Sequence, residues 1–92
     1  TVIVHFHPPA ERAFAKLQVK YVCRDQRVEP CARFAETRLR VNDFGTATAA
    51  LEMNCKANEL QSCYRLAQIF ERQDDLERAN LYYEFSCQSG LK

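Results

Sequence analysis

Residues 23–55, CRDQRVEPCARFAETRLRVNDFGTATAALEMNC, and residues 55–87, CKANELQSCYRLAQIFERQDDLERANLYYEFSC, decide the fold once the second is written beneath the first. The cysteines at 23, 31, 55, 63 and 87 are separated by 8, 24, 8 and 24 residues, a period of 32. Without a gap, nine of 33 positions are identical: Cys23/Cys55, Cys31/Cys63, Cys55/Cys87, Arg33/Arg65, Ala35/Ala67, Arg40/Arg72, Asp43/Asp75, Ala47/Ala79 and Glu52/Glu84. Conservative pairs such as Val28/Leu60, Phe34/Leu66 and Phe44/Leu76 extend the match. Self-similarity at a fixed spacing of ~20–50 residues marks units that bury their apolar faces by stacking on one another.

The pattern inside a unit identifies the element. Cys63, Leu66, Ala67 and Phe70 follow i, i+3, i+4, i+7, one stripe of an α-helix. Leu76, Ala79 and Tyr83, flanked by Tyr82 and Phe85, form a second and wider stripe after the polar Gln73-Asp74-Asp75, whose Asp before Leu76 suits an N-cap. The preceding unit repeats the design, with Cys31, Phe34 and Ala35 on one helix, Asn42-Asp43 as cap, and Phe44, Ala47, Leu51 and Cys55 on the next. Upstream, Phe14, Leu17 and Tyr21 fall at helical spacing and Ala15 lies one period before Ala47, so this segment reads as the second helix of an incomplete first unit. The expectation is an all-α, short helix-turn-helix solenoid of five helices, near 9–24, 30–41, 43–56, 60–72 and 75–88.

Composition agrees. Ninety-two residues fit one small domain. With 47% hydrophobic and 27% charged residues, neither a disordered chain nor a transmembrane span is indicated. Two glycines are too few for turn-dense β architecture or phosphate-cradling loops, which need backbone conformations glycine adopts cheaply. The division expected is an extended N-terminal tail over 1–9 and a single helical-repeat domain over 10–92, with a partial repeat at 10–22, repeats at 23–54 and 55–86, and a truncated end at 87–92.

Each close cysteine pair then spans a corner, one cysteine ending a second helix and its mate in the first turn of the following helix. Pro30 supports a break there, because proline is tolerated at a helix start and not in its interior. Disulfides Cys23–Cys31 and Cys55–Cys63 are feasible across such corners, each worth roughly 2.6 kcal/mol in the chain-entropy account for a nine-residue loop. Zinc is the alternative, although structural zinc sites favour Cys-x2-4-Cys spacing, and free thiols are another. By the same ruler Cys87 would need a mate at 95, past Lys92, which leaves it an unpaired thiol, buried or intermolecular.

A two-helix repeat with Cys-x7-Cys between successive units, carried by CKANELQSCYRLAQIFERQDDLERANLYYEFSCQSG and by CRDQRVEPCARFAETRLRVNDFGTATAALEMNC, resembles the cysteine-rich branch of the Sel-like repeat family, related to tetratricopeptide repeats. That branch includes secreted bacterial proteins and a mitochondrial intermembrane-space factor of cytochrome c oxidase assembly, and the short inter-helix turns here look more like the latter. The resemblance implies a non-catalytic scaffold, an accessory subunit or assembly factor of a respiratory-chain complex, in the intermembrane space. A secreted or periplasmic location is the alternative. Thr1 to Phe14 does not read as a secretory signal, its apolar stretch being short and broken by histidine.

His5 and His7 sit in the tail with no acidic orienter or glycine turn, so no catalytic residue, cofactor or metal ligand is assigned. A redox or haem-handling protein, most plausibly acting through Cys87, is the alternative function. A twin-cysteine helical hairpin, pairing Cys23 with Cys63 and Cys31 with Cys55, is the alternative architecture and is opposed by Pro30. Residues 1–46 carry eight Lys+Arg against five Asp+Glu and residues 47–92 five against seven, so the net +1 gives no general reason to expect nucleic acid. Arg38 takes the stripe position held by Phe70 in the next unit, which makes it either a solvated side chain or a contact to an acid on a partner. Val2, Val4 and Phe6 alternate in the tail, which either folds back onto the helices or, the expectation favoured by that alternation, docks on a neighbouring subunit. The partners expected are therefore other protein subunits of a larger, membrane-associated complex, with no span in this chain.

Overall fold

The structure, a computed structural model, describes residues 9–88. Val2, Val4, Phe6, His5 and His7, and the tail they belong to, lie outside the described residues. The described chain is all-helical: α1 (Pro9–Val22), a single 3-10 turn (Arg24–Gln26), α2 (Val28–Arg40), α3 (Phe44–Lys56), α4 (Leu60–Arg72) and α5 (Leu76–Gln88). The five helices match the spacing-derived ones to within two residues at each end. α2 begins two residues before Pro30, which still falls in its first turn, where a missing N–H is harmless.

Glycine scarcity is resolved at the turns. Helices commonly end on a left-handed residue, usually glycine, whose own N–H and the one after it reach back to the helix. Here Asn42 (φ 60), Asn58 (φ 67) and Asp74 (φ 61) take that place, residue types whose short polar side chains tolerate it. After α2, Asn42 N–H donates to Leu39 C=O at 3.0 Å and Asp43 N–H to Arg38 C=O at 2.8 Å. After α4 the same two bonds recur 32 residues on, Asp74 to Glu71 at 3.0 Å and Asp75 to Phe70 at 2.9 Å. After α3 they join Asn58 to Cys55 at 2.9 Å and Glu59 to Asn54 at 3.0 Å.

The residue that closes one helix also opens the next. Asp43 accepts from Thr46 N–H, Glu59 from Ser62 N–H and Asp75 from Arg78 N–H, at 3.3, 2.9 and 3.3 Å. Two residues thus do the work of a loop, and successive helices are held at a fixed turn. Asn58→Ala is expected to cost about 1 kcal/mol, the left-handed penalty of a residue with a bare Cβ, while Asn58→Gly avoids that penalty. Urea melts of the two variants check this, and equal midpoints would contradict it.

Packing is pairwise, most extensive between α4 and α5 and between α2 and α3, then between α3 and α4, with α1 against α3 and α2. The core runs through Val19, Cys23, Cys31, Ala35, Ala50, Leu51, Leu66, Ile69, Phe70 and Ala79. Alanine at 15, 35, 47, 50, 67 and 79, buried in every case, permits close helix approach. Two ties cross between units. Arg65 of α4 donates two bonds to Glu36 of α2 at 3.0 and 3.2 Å, and Tyr82 of α5 donates to Glu52 of α3 at 3.0 Å. Burial, together with the hydrogen bond to Glu52 and its charge, pushes the Tyr82 phenol up to about 12.

The stripe expected on α1 is turned outward. Ala15 and Val19 are buried, whereas Phe14, Leu17 and Tyr21 are 63%, 57% and 66% exposed. Leu76 and Phe85 of α5 and Phe44 of α3 are likewise more exposed than their place on a stripe suggests. On α1 the smaller Ala15 and Val19 face the neighbouring helices, where they allow the backbones to approach, and the bulky Phe14, Leu17 and Tyr21 are left on the flank.

Candidate functional site

Two disulfides close the corners, Cys23 with Cys31 and Cys55 with Cys63, each eight residues apart in sequence with Cα atoms 4.7 and 4.8 Å apart. The Cys23–Cys63 and Cys31–Cys55 pairing of a twin-cysteine hairpin is therefore not the arrangement. Cys31 and Cys63 are wholly buried, so the bridges sit inside the packing. Such bonds persist in a compartment where thiols oxidise. Cys87 is a free thiol, and it is exposed. Among the described residues no three His, Cys, Asp or Glu side chains gather as a metal site, and no helix is long and apolar enough to cross a membrane.

Arg38 is turned into the chain. Its Nε and Nη2 donate to Asp43 Oδ2 at 3.0 and 2.7 Å, with only 10% of the arginine side chain and 4% of the aspartate exposed. Burial raises the Asp43 pKa, and the contacts of Thr46 and Arg38 more than reverse it, holding the carboxyl below its usual range. The directed contact from Thr46 is its backbone N–H, since its buried hydroxyl makes no hydrogen bond among the described residues. One unit later the cation has moved. Phe70 replaces Arg38, and Arg78, at the place of Thr46, lies 5.5 Å over the Phe70 ring with its Nε 3.5 Å from Asp75.

Two surfaces among the described residues are candidates for contact with another molecule. The first is the Phe14, Leu17 and Tyr21 flank of α1, where Arg24 lies 5.7 Å over the Tyr21 ring. The 32-residue ruler places Tyr21 with Met53 and Phe85. Met53 lines a cleft with Lys16, Val19 and Lys20 of α1, and Phe85 lines another with Glu52, Cys55 and Lys56 of α3. In both later helices this position looks toward the helix one unit upstream.

The second surface is a groove of about 470 Å³ between α2 and α4, bounded by Leu39, Arg40, Phe44, Ile69 and Arg72, with the Arg65–Glu36 pair across it. Arg40 and Arg72 are repeat equivalents, 32 residues apart. Their convergence on one groove depends on the fold bringing α2 and α4 to its two sides, with Arg65 reaching Glu36 across it. The equivalence itself was the available signal, since identical residues one period apart occupy neighbouring places when units stack.

Compared with protein-family models, with curated proteins and with solved structures, the chain finds no match in any of the three.

Proposed function

We propose that this chain is a non-catalytic protein-interaction scaffold, a short run of Sel-like helix-turn-helix units serving as an accessory subunit or assembly factor of a mitochondrial respiratory-chain complex. The observation that carries the scaffold reading is the exposed apolar flank of α1. Three large side chains in open solvent are costly to leave uncovered, and contiguous apolar patches of this kind mark sites of association. Within the flank, Tyr21 occupies the position at which Met53 of α3 and Phe85 of α5 face the helix upstream, so a helical neighbour fits it. Two disulfides support an oxidising compartment, and the intermembrane space is our choice of compartment because of the Cys-x7-Cys resemblance. Cytochrome c oxidase is favoured on the same ground.

Native purification of the tagged chain from mitochondria in mild detergent tests this reading. Stoichiometric recovery with a large membrane complex is expected of a subunit, and recovery only with partly assembled complexes of an assembly factor. Recovery of the chain alone, or its appearance in the secreted fraction, would sink the proposal. Leu17→Asp together with Tyr21→Asp should abolish recovery in the complex. The helical signal and melting midpoint should hold, because exposed substitutions change stability by only about 0.5 kcal/mol.

A further inference from the structure

The groove between α2 and α4 differs from the α1 flank in carrying charge. Three guanidinium groups and one carboxylate border it: Arg40, Arg65, Arg72 and Glu36. Arg65 and Glu36 satisfy each other through two hydrogen bonds. Arg40 and Arg72 are exposed, and among the described residues neither has an ion-pair partner. Both lie in the last turn of their helices, where a cation complements the helix dipole. That role needs only their charge and leaves the planar donor forks unspent. The floor between them is apolar, with Ile69 buried, Leu39 half-buried and Phe44 41% exposed.

We propose that this groove docks an extended acidic segment of a partner protein, its carboxylates on Arg40 and Arg72 and a neighbouring apolar side chain on Leu39, Phe44 and Ile69. The proposal rests on the scaffold reading and names the chemistry of one partner. Arginine forks match carboxylates bidentately, and the adjoining apolar floor gives such a segment area to bury. A nucleic acid fits less well. Glu71, Asp74, Asp75 and Glu77 surround the Arg72 end of the groove in sequence, and a phosphate chain running beyond the groove would meet them. A short segment with a few carboxylates ends before reaching them.

The test is selection of a displayed random-peptide library against the purified, oxidised chain. Peptides carrying Asp or Glu beside Phe, Leu, Ile or Met are expected to be enriched. By fluorescence anisotropy the best of them should bind at least ~10-fold more weakly to Arg40→Glu/Arg72→Glu, and more weakly at high salt, because two charge-assisted contacts are lost. The neutral variant Arg40→Gln/Arg72→Gln and the floor variant Phe44→Ala should also weaken binding. Together they keep the test decisive if charge reversal disturbs the fold, which circular dichroism reports.

Recovery of no peptide, of peptides without acidic enrichment, or of peptides that bind both arginine variants unchanged would overturn the proposal. So would displacement of the best peptide by a single-stranded oligonucleotide of equal affinity. Peptide binding lost in Leu17→Asp/Tyr21→Asp and kept in the arginine variants would overturn the groove proposal while supporting the scaffold. Recovery of the native chain alone from mitochondria would instead remove the scaffold reading beneath it.

Discussion

Arg38→Ala is expected to destabilise the protein by about 3–5 kcal/mol, the range found when one partner of a buried ion pair is removed and the other charge stays behind. Asp43 cannot follow the arginine into solvent, because its backbone closes the α2 turn and its carboxylate caps α3. The double variant Arg38→Met/Asp43→Asn should recover much of the loss, since neither charge is then buried alone. The pH dependence separates this account from a simple cavity. Asp43 has a depressed pKa in the folded chain, so its stabilising contribution is present above the unfolded value of about 3.8 and is lost as pH falls through the folded value. In Arg38→Ala burial persists without the cation, and protonating Asp43 relieves the defect. Urea melts at neutral and acidic pH should therefore show the gap between wild type and variant narrowing as pH is lowered through 3.8. A gap constant with pH would point to lost packing instead.

Reducing both disulfides is the second large expected effect. Each bridge closes a short loop worth roughly 2.6 kcal/mol in the chain-entropy account, and two approach the lower end of a small domain's whole stability of about 5–15 kcal/mol. The two losses should differ in kind. α1 packs on its neighbours much less than α4 packs on α5, so Cys23→Ala/Cys31→Ala is expected to release α1 locally. Amide hydrogen exchange would then rise over 9–22, with the remaining helices still protected. The Cys55–Cys63 bridge joins α3 to α4 in the middle of the chain, so Cys55→Ala/Cys63→Ala should lower the global midpoint without singling out one helix. Uniform exchange across all helices in the first variant would contradict the local account.

Much of this fold was legible in the chain. The 32-residue spacing and the i, i+3, i+4, i+7 stripe of α4 place the helices and set the cysteines at the corners, because helix geometry is local and period-bound. The side of α1 that faces inward was less legible. Periodicity reports an apolar side at Phe14, Leu17 and Tyr21, but the packed side is set by which residues let helices approach, and Ala15 and Val19 do so. Arg38 posed a related difficulty. An arginine on an apolar stripe reads as a solvated side chain until the turn brings Asp43 back beneath it. Asp43 was visible as a helix cap, and its second role requires the three-dimensional turn. The Arg40 and Arg72 groove depends in the same way on which helices lie together.

The displaced cation of the second unit bears on how the chain avoids folding incorrectly. Two similar hairpins in one polypeptide can exchange partners while folding. If α2 paired with α5, Arg38 would bring a second guanidinium to Asp75, which Arg78 already serves. If α4 took the place of α2 beside α3, Phe70 would stand where Asp43 needs its cation, and that carboxylate would be buried alone at a cost of several kcal/mol. An arginine present in the first unit and replaced by phenylalanine in the second thus makes either exchanged pairing costlier than the native one.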